Sequence, residues 1–160
     1  MAFWLTQYLK SLGDNFGQVT PLIYRSAQPS ADRLKELRAK CKVEINLNLR
    51  DDFGDEERNE ILQAGMIPYN VPMKDDEAPA PWQILKALNV LREGNEVKLV
   101  NCVGGRHRTG LICAVYQAVE MNVSKRDAWK EAEKYGYYDH GGHAPLRLWF
   151  EDGFQPGDYR

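Results

Sequence analysis

The chain alternates short strand-like segments with longer helix-like segments, and this alternation limits the folds that it can adopt. Strand patterns are expected at residues 22–26, 43–49, 67–71 and 97–101. Helix patterns are expected at residues 30–40, 55–64, 81–91, 109–121, 124–135 and 145–154. Parallel strands need long crossover connections, which are usually helical. The sequence therefore predicts an α/β fold with a central, mostly parallel sheet that is flanked by helices on both faces.

Local patterns add detail to this prediction. Segment 43–49 alternates apolar and polar residues, which predicts a strand with one face better buried than the other. Pro68 interrupts segment 67–71 and places that strand near a sheet edge. Ser30 and Ser124 are suitable N-caps for the helices that follow them. In the helix over residues 81–91, the side chains expected to face the core are Ile84, Leu85, Leu88 and Leu91.

The composition is that of one ordinary globular domain. The chain has 160 residues, of which 43% are hydrophobic and 28% are charged, so a core can form without disulfide or metal support. We expect a single domain over residues 1–160, with residues 1–21 as an N-terminal arm. The formal net charge of −2 argues against a nucleic-acid-binding surface. No apolar stretch reaches the length of about 18 residues that spans a membrane, so no membrane partner is expected.

The chain has three cysteines, Cys41, Cys102 and Cys113. An odd count without a Cys-x-x-Cys motif disfavours a disulfide scaffold and a cysteine zinc site, and we expect no metal and no organic cofactor. Cys41 and Cys113 fit the role of small buried hydrophobic residues. Residues 1–10 lack the basic region, apolar core and cleavage site of a signal peptide. These features predict a reduced, cytoplasmic protein, although a signal peptide removed beforehand would leave no trace.

The most informative segment is residues 101–110, with the sequence Asn-Cys-Val-Gly-Gly-Arg-His-Arg-Thr-Gly. It leaves a predicted strand and enters the most apolar predicted helix, which is where ligands of parallel sheets bind. Successive backbone N–H groups of such a loop can surround a tetrahedral anion. Gly104 and Gly105 permit the positive φ angles that this requires. Arg108 can hold two phosphate oxygens with its planar guanidinium.

Cys102 lies at the centre of this positively polarised loop. The surrounding N–H groups and the helix N-terminus favour its thiolate form, which is a nucleophile directed at phosphorus. Thr109 is expected to donate a hydrogen bond to the Cys102 sulfur, or to serve only as a hydroxyl at the helix start. Arg106 and His107 are expected to add positive charge at the rim, with a solvated surface as the alternative.

Cys102, Arg108 and Thr109 match the signature Cys-x5-Arg-[Ser/Thr], and the chain resembles the cysteine-dependent protein tyrosine and dual-specificity phosphatase superfamily. Residues 24–30 resemble the opening segment of small bacterial dual-specificity-like phosphatases, and residues 45–50 resemble their next strand. The similarity extends over residues 24–138. It implies a dual-specificity-phosphatase-like fold and hydrolysis of phosphate monoesters through a cysteinyl-phosphate.

Such phosphatases also need an acid for the leaving oxygen, on a movable upstream loop. The candidates are Asp75, Asp76 and Glu77. Residues 74–81 resemble the acid loop of bacterial phosphatase-like phytases, in which the first of two spaced prolines follows the acid by four residues. With Pro79 as that proline, the resemblance assigns the acid to Asp75 in preference to Asp76. The alternative is a solvated acidic turn.

The resemblance departs from the superfamily pattern at Asn101, where a histidine normally precedes the nucleophile. That histidine holds the loop and favours the thiolate. The amide of Asn101 has a donor and an acceptor, so part of this bonding can persist. Lower activity, a shifted pH optimum and an engineered residue are the alternatives at this position.

The substrate class is inferred from the cations near the loop. Phosphotyrosine needs a deep, aromatic-lined pocket, whereas a highly phosphorylated inositol needs several cations around a wider mouth. Candidate cations are Arg106, His107, Lys74, Arg25 and Arg50, the last three alternatively surface or structural charges. With the phytase-like acid loop, they favour inositol polyphosphates over phosphoproteins. The predicted site thus has catalytic Cys102, Arg108, Asp75 and Thr109, and substrate-binding Val103, Gly104, Gly105, Arg106, His107, Lys74 and Arg25.

Two functions of other classes are also consistent with parts of the sequence. Asn101 suits a phosphate-binding module with little turnover. A loop cysteine among backbone amides also suits a rhodanese-like sulfurtransferase, but the long Cys-to-Arg loop and the acid loop disfavour it. For residues 139–143, which contain an aspartate and two histidines, a surface loop is preferred over a pocket rim, and both over a metal site.

Overall fold

The computed structural model describes residues 14–160. The strands are β1 (Gly17–Thr20), β2 (Ile23–Ser26), β3 (Ile45–Arg50), β4 (Ile67–Met73) and β5 (Lys98–Asn101). The helices are α1 (Ala31–Cys41), α2 (Asp55–Gln63), α3 (Pro81–Arg92), α4 (Arg108–Glu120), α5 (Lys125–Lys134) and α6 (Ala144–Leu148). The predicted strands and helices after residue 21 are all present. The last helix is shorter than predicted, because Trp149–Gly153 forms a wider, π-helical turn.

The strands form one five-stranded sheet in the order β1-β2-β5-β3-β4. β1 pairs antiparallel with β2, and the other neighbours are parallel. The predicted mostly parallel sheet is confirmed, and β4, which contains Pro68, is an edge strand as expected. The carboxyl ends of three parallel strands meet at one edge, where Asn101 lies between Ser26 and Asn48. This edge positions the loop that follows β5.

Helices cover both faces of the sheet. α1 and α2 pack on one face, where Tyr24 and Leu99 contribute to the smaller apolar core. α3, α4, α5 and α6 pack on the other face, where Ile23, Leu47 and Val100 contribute to the larger core. Adjacent residues of a strand point to opposite faces, which divides Ile23 from Tyr24 and Leu99 from Val100. Within residues 14–160, no helix is both long and apolar enough to cross a bilayer.

Residues 14–20 differ from the predicted N-terminal arm because they are part of the domain. Gly17–Thr20 is a strand of the sheet, and Phe16 is buried in the smaller core. The N–H group of Ala27 donates to the carbonyl of Asp14 at 2.7 Å. The predictions for the beginning of the arm, including the lack of a signal peptide in residues 1–10, lie outside the described residues.

Two predictions of side-chain burial are wrong. Asn46 and Asn48 of β3 are 1% and 0% exposed, whereas the sequence predicted a less buried polar face. β3 lies inside a sheet that is covered on both faces, so these amides must find hydrogen-bond partners within the protein. Leu85 of α3 is 44% exposed because the buried stripe of this helix runs through Ile84 and Leu88.

The burial stripe of α3 can be tested with a matched pair of variants. Leu88→Ala is expected to lower the free energy of unfolding by about 2–5 kcal/mol, because Leu88 is fully buried and its truncation leaves a cavity. Leu85→Ala is expected to change it by less than about 0.5 kcal/mol, because an exposed side chain loses little packing. Urea unfolding followed by circular dichroism measures both values. Similar losses in the two variants would contradict this orientation of α3.

Candidate active site

The predicted site forms a cavity at the carboxyl edge of the sheet. Residues 102–107 connect β5 to α4, so Cys102 directly follows a strand inside the sheet and Arg108 begins a buried helix. The cavity has a volume of about 220 Å³. Its lining residues are Asp75, Cys102, Val103, Gly104, Arg106, His107, Arg108, Tyr138 and His143. The structure therefore brings together the predicted nucleophile, arginine and acid.

The carbonyl groups of loop residues 102–105 all accept hydrogen bonds from the surrounding scaffold. The donor–acceptor distances are 3.2 Å from Asn101 Nδ2 to Cys102 O, 2.9 Å from Gln28 N to Val103 O, 3.3 and 3.2 Å from Asn15 Nδ2 to Gly104 O and Gly105 O, and 2.9 Å from Arg25 Nη2 to Gly105 O. The C=O group of a trans peptide and the N–H group that follows it point in opposite directions. The N–H groups of residues 103–106 are therefore turned away from the scaffold, which suits binding of an anion.

Arg25 supports this loop and does not lie at the substrate surface, contrary to the prediction. Its side chain is 1% exposed, and its guanidinium lies 3.9 Å from the centroid of the Tyr135 ring. The loop approaches this scaffold closely at Gly105, which has a φ of +68°. A Cβ atom at Gly105 would lie 2.7 Å from backbone atoms of Ser26 and Ala27, so a larger residue would displace the loop. Arg25 of β2 is thus a structural residue that supports the loop.

Arg108 is held so that part of its guanidinium stays free to bind a ligand. Its Nη1 donates to Asp51 Oδ1 and to the Met73 carbonyl, both at 3.0 Å. Its Nε is buried and has no hydrogen-bond partner within residues 14–160. A buried donor without a partner is unfavourable, and a phosphate oxygen would satisfy it. Asp51, which the sequence analysis missed, follows β3 at the same sheet edge.

Asn101 is the centre of a buried amide network. Its Oδ1 accepts a hydrogen bond from Asn46 Nδ2 at 2.7 Å, and its Nδ2 donates to Gln28 Oε1 at 3.1 Å. Asn48 Nδ2 donates to the same Gln28 oxygen at 3.0 Å. The polar residues of segment 43–49 were the sequence signal for this network, although they predicted only a less buried face. Asn101 thus has dedicated partners at the position where the superfamily has histidine.

Asp75 reaches the Cys102 cavity from residues 74–80, the acid segment between β4 and α3. Its side chain is 47% exposed, and its backbone carbonyl lies 2.8 Å from His143 Nδ1. Asp76, the alternative acid, is not among the residues that line this cavity. Lys74 is exposed and lines a separate cavity of about 220 Å³. The structure therefore places Asp75 beside Cys102 and does not place Lys74 there.

His107 forms part of the cavity wall and is neutral near pH 7, contrary to the predicted positive rim residue. Its side chain is 8% exposed, and its Nε2 lies 3.1 Å from the Tyr138 carbonyl. Burial lowers the pKa of His107 to about 4, and repulsion from His143 and Arg106 adds to this effect. A carbonyl only accepts hydrogen bonds, so Nε2 carries the proton of the neutral ring. Arg106 is exposed and keeps its predicted place at the cavity.

The remaining predicted residues have clear positions. Thr109 is fully buried, and its hydroxyl has no hydrogen-bond partner within residues 14–160. The expected bond from Thr109 to the Cys102 sulfur is therefore not formed in this structure. Cys41 and Cys113 are buried as predicted. Burial raises the pKa of the Cys41 thiol to about 11 and also raises that of Cys113, which keeps both in the unreactive thiol form.

Part of the loop after α5 lines the cavity, and this role is more specific than the surface loop that the sequence favoured for residues 139–143. Tyr138 and His143 line the cavity, whereas His140 is exposed and stacks on Tyr138 with 4.0 Å between ring centroids. In the described part of the chain, no group of three His, Cys, Asp or Glu side chains is placed to hold a metal ion. Of the three alternatives for this segment, the pocket rim is therefore the one that fits the position of His143.

Asn101→His is expected to destabilise the protein. The Asn101 side chain is fully buried, and the larger imidazole ring would displace the Asn46 and Gln28 amides that bond to Asn101. An unpaired buried amide costs about 1–3 kcal/mol, which should appear in the free energy of unfolding in urea. Asn95→His, at an exposed position, is the matched control and should have little effect. Equal stability of the Asn101→His variant and the original chain would show that the network does not require asparagine.

His107 is expected to make the fold sensitive to acid. Its pKa is about 4 in the folded chain against an ordinary value of 6.5, so the unfolded chain binds more protons between these values. The contribution of His107 to the free energy of unfolding is then fully present above pH 6.5. It is lost as the pH drops toward 4, and the loss is about 2 kcal/mol after allowance for solvent screening. His107→Gln keeps a donor near the Nε2 position and removes the titration. Urea unfolding at about pH 7 and about pH 4.5 should show a smaller acid loss for this variant.

Three comparisons with known proteins agree with this geometry. A family model described as "Polymorphic toxin system, DSP-PTPase phosphatase" matches residues 21–120. The dual specificity protein phosphatase TpbA of Pseudomonas aeruginosa is 28% identical over 128 residues, which are 78% of this chain and 56% of TpbA. The inositol diphosphatase SIW14 of Saccharomyces cerevisiae is 31% identical over 105 residues, which are 62% of this chain and 37% of SIW14. The chain thus matches about half or less of the length of these curated relatives.

Solved structures show the same fold. The crystal structure of P. aeruginosa TpbA has a TM-score of 0.79 at 24% identity, and the match covers 93% of this chain and 90% of that chain. The catalytic domain of S. cerevisiae SIW14, in complex with citrate, has a TM-score of 0.77 at 24% identity and covers 92% and 90%. The predicted dual-specificity-phosphatase-like fold is confirmed. Since the family model matches residues 21–120, the chain belongs to the DSP-PTPase phosphatase family of polymorphic toxin systems.

Proposed function

We propose that this chain is a cysteine-dependent phosphatase that hydrolyses phosphate monoesters through a cysteinyl-phosphate intermediate. The observation that carries the proposal is the loop after β5, in which the carbonyls of residues 102–105 are bonded to the scaffold. The N–H groups that follow them can then surround a phosphoryl group in front of Cys102. The curated relatives TpbA and SIW14 are named as phosphatases, which supports this reading.

In the first step, the Cys102 thiolate attacks phosphorus and the bond from phosphorus to the leaving oxygen breaks. Asp75, as a carboxylic acid, gives its proton to that oxygen. The loop N–H groups and Arg108 hold the remaining phosphoryl oxygens as their charge develops. The position of Asp75 in the Cys102 cavity supports its role over that of Asp76. The products of this step are the alcohol and the cysteinyl-phosphate.

In the second step, water attacks the cysteinyl-phosphate. The Asp75 carboxylate takes a proton from the water, the sulfur–phosphorus bond breaks, and inorganic phosphate and the Cys102 thiolate are released. Thr109 is buried near the start of α4 and carries a hydroxyl without a partner among the described residues. The role that we propose for this hydroxyl is the predicted one, a hydrogen bond to the leaving sulfur. Apart from this water, the proposed chemistry uses only groups of this chain.

For the substrate, we propose an inositol polyphosphate. Arg106 lies at the cavity and Lys74 lies exposed on the acid segment, so cations are present for further phosphates. The cation set is smaller than predicted, because Arg25 is buried and His107 is neutral. Arg50 is bound to Asp52 at 2.8 Å. The name of SIW14, an inositol diphosphatase, adds support for this substrate class.

A phosphotyrosine or dual-specificity protein substrate is the second candidate. Two observations favour it: Tyr138 forms part of the cavity wall, and Val103 at the cavity is 51% exposed. Both side chains offer apolar contact to an aromatic ring. The name of TpbA, a dual specificity protein phosphatase, is in line with this candidate. A phosphate-binding module with little turnover, suggested by Asn101, is the third.

Phosphate release tests these candidates directly. We expect the chain to release phosphate from inositol hexakisphosphate faster than from a phosphotyrosine peptide, and Cys102→Ser to abolish release, because a hydroxyl is a far weaker nucleophile than a thiolate. Cys113→Ser is the matched control and should keep most of the activity, because Cys113 is not among the residues that line the Cys102 cavity. Mass spectrometry of acid-quenched protein should find one phosphate on the peptide that contains Cys102.

Each other outcome has a defined meaning. Faster release from the peptide would keep the cysteine mechanism and replace the proposed substrate by the second candidate. Activity that survives Cys102→Ser would contradict the mechanism. Saturable binding of phosphate without release from either substrate would favour the binding module.

A further inference from the structure

A histidine outside the Cys102 loop contacts the segment that carries the proposed acid. His143 Nδ1 lies 2.8 Å from the Asp75 backbone carbonyl, and 3.9 Å from Oδ2 of its carboxylate. Because the carbonyl can only accept a hydrogen bond, the His143 Nδ1 carries a hydrogen and is the donor. From sequence, His143 is a candidate for a surface loop, a pocket rim or a metal site, and none of these assigns it a role at Asp75.

The His143 side chain is itself held on several sides. Its ring stacks on His107, with 3.5 Å between centroids and 15° between planes. The Tyr137 hydroxyl donates to the His143 carbonyl, and the His143 side chain is 12% exposed. His107 is fixed in turn by its hydrogen bond to the Tyr138 carbonyl. The donor that meets Asp75 therefore comes from a rigid wall of the cavity.

The Asp75 segment has few such restraints of its own. The segment between β4 and α3 is irregular. Arg108 holds its beginning through the Met73 carbonyl, and Gln83 holds its end through the Ala80 N–H group at 2.7 Å. Between these points, the bond from His143 reaches the residue that bears the proposed acid. The Asp75 side chain is 47% exposed, so packing alone does little to fix its position. A hydrogen bond to its backbone is needed to keep it at the cavity.

We propose that His143 is a positioning residue for the general acid: its Nδ1–H group fixes the backbone of Asp75 so that the carboxyl group faces the Cys102 cavity. This inference rests on the proposed function, in which Asp75 protonates the leaving oxygen. An acid matters most when the leaving oxygen is strongly basic, and it matters little when the leaving group is already stable as an anion. His143 should therefore affect the first step, measured as kcat/KM, according to the leaving group.

The test compares two aryl phosphates in each protein: phenyl phosphate, with a basic leaving group, and difluoromethylumbelliferyl phosphate, with an activated one. For His143→Ala we expect kcat/KM on phenyl phosphate to fall about 10-fold or more, and kcat/KM on the activated substrate to change less than about 3-fold, because kcat/KM reports only the step in which the leaving group departs. The ratio of the two rates is independent of how much of the sample is folded. His143→Asn keeps an N–H donor near the Nδ1 position and should restore most of the ratio.

His140→Ala is the matched control. His140 lies in the same loop and stacks on Tyr138, but it is exposed, so the variant should keep the original ratio. Asp75→Asn should reproduce the leaving-group effect, and adding His143→Ala to it should change the ratio no further. A further loss in the double variant, or an unchanged ratio in His143→Ala, would overturn the positioning role.

These outcomes separate the two proposals. If the original chain releases phosphate and Cys102→Ser does not, the proposed function holds, whatever the His143 variants do. If Asp75→Asn then shows the leaving-group effect and His143→Ala does not, only the role of His143 is wrong. If the original chain releases phosphate from none of its substrates, the proposed function fails, and the inference about His143 fails with it.

Discussion

The structure depends on the hydrogen bonds that turn the carbonyl groups of residues 102–105 toward the scaffold. The N–H and C=O groups of a peptide point in opposite directions. A loop that binds an anion through its N–H groups must therefore find hydrogen-bond donors for its carbonyls on the other side. Here the donors are Asn15, Arg25, Gln28 and Asn101. Asn15 precedes β1, Arg25 lies in β2, Gln28 follows β2, and Asn101 ends β5. The sheet order places these elements side by side, so the same strand arrangement that forms the fold also brings the four donors to the loop.

A second layer of contacts fixes the side chains that would act on the phosphate. Arg108 is oriented by Asp51 and by the Met73 carbonyl, and Asp75 is reached by His143. Arg108 thereby links the start of α4 to the end of β4, where the acid segment begins. Binding of an anion at Arg108 and the placement of Asp75 are thus connected through a few short contacts rather than through a change of the whole fold.

The sequence predicted the fold and the position of the Cys102 loop well, because both are encoded locally. Hydrophobic alternation identified β3, and the spacing of Cys102 and Arg108 identified the loop. The errors concern residues whose surroundings come from distant parts of the chain. Arg25 was assigned to the substrate surface, yet Gly105 and Tyr135 enclose it. His107 was assigned a charge, yet its burial removes it. Asn15 and Asp51 carry no local signal, because their partners lie 89 and 57 residues away.

The bonds of Asn15 also have a consequence for how the site is assembled. Asn15 joins Gly104, Gly105 and Tyr135 across 89, 90 and 120 residues of sequence. Contacts of such separation carry a large loop-closure cost and form after local helices and turns during folding. During synthesis, the loop that contains Cys102 leaves the ribosome before the segment that contains Tyr135. Cys102 is therefore synthesised before the scaffold that supports its loop is complete, because Tyr135 contacts both Asn15 and Arg25.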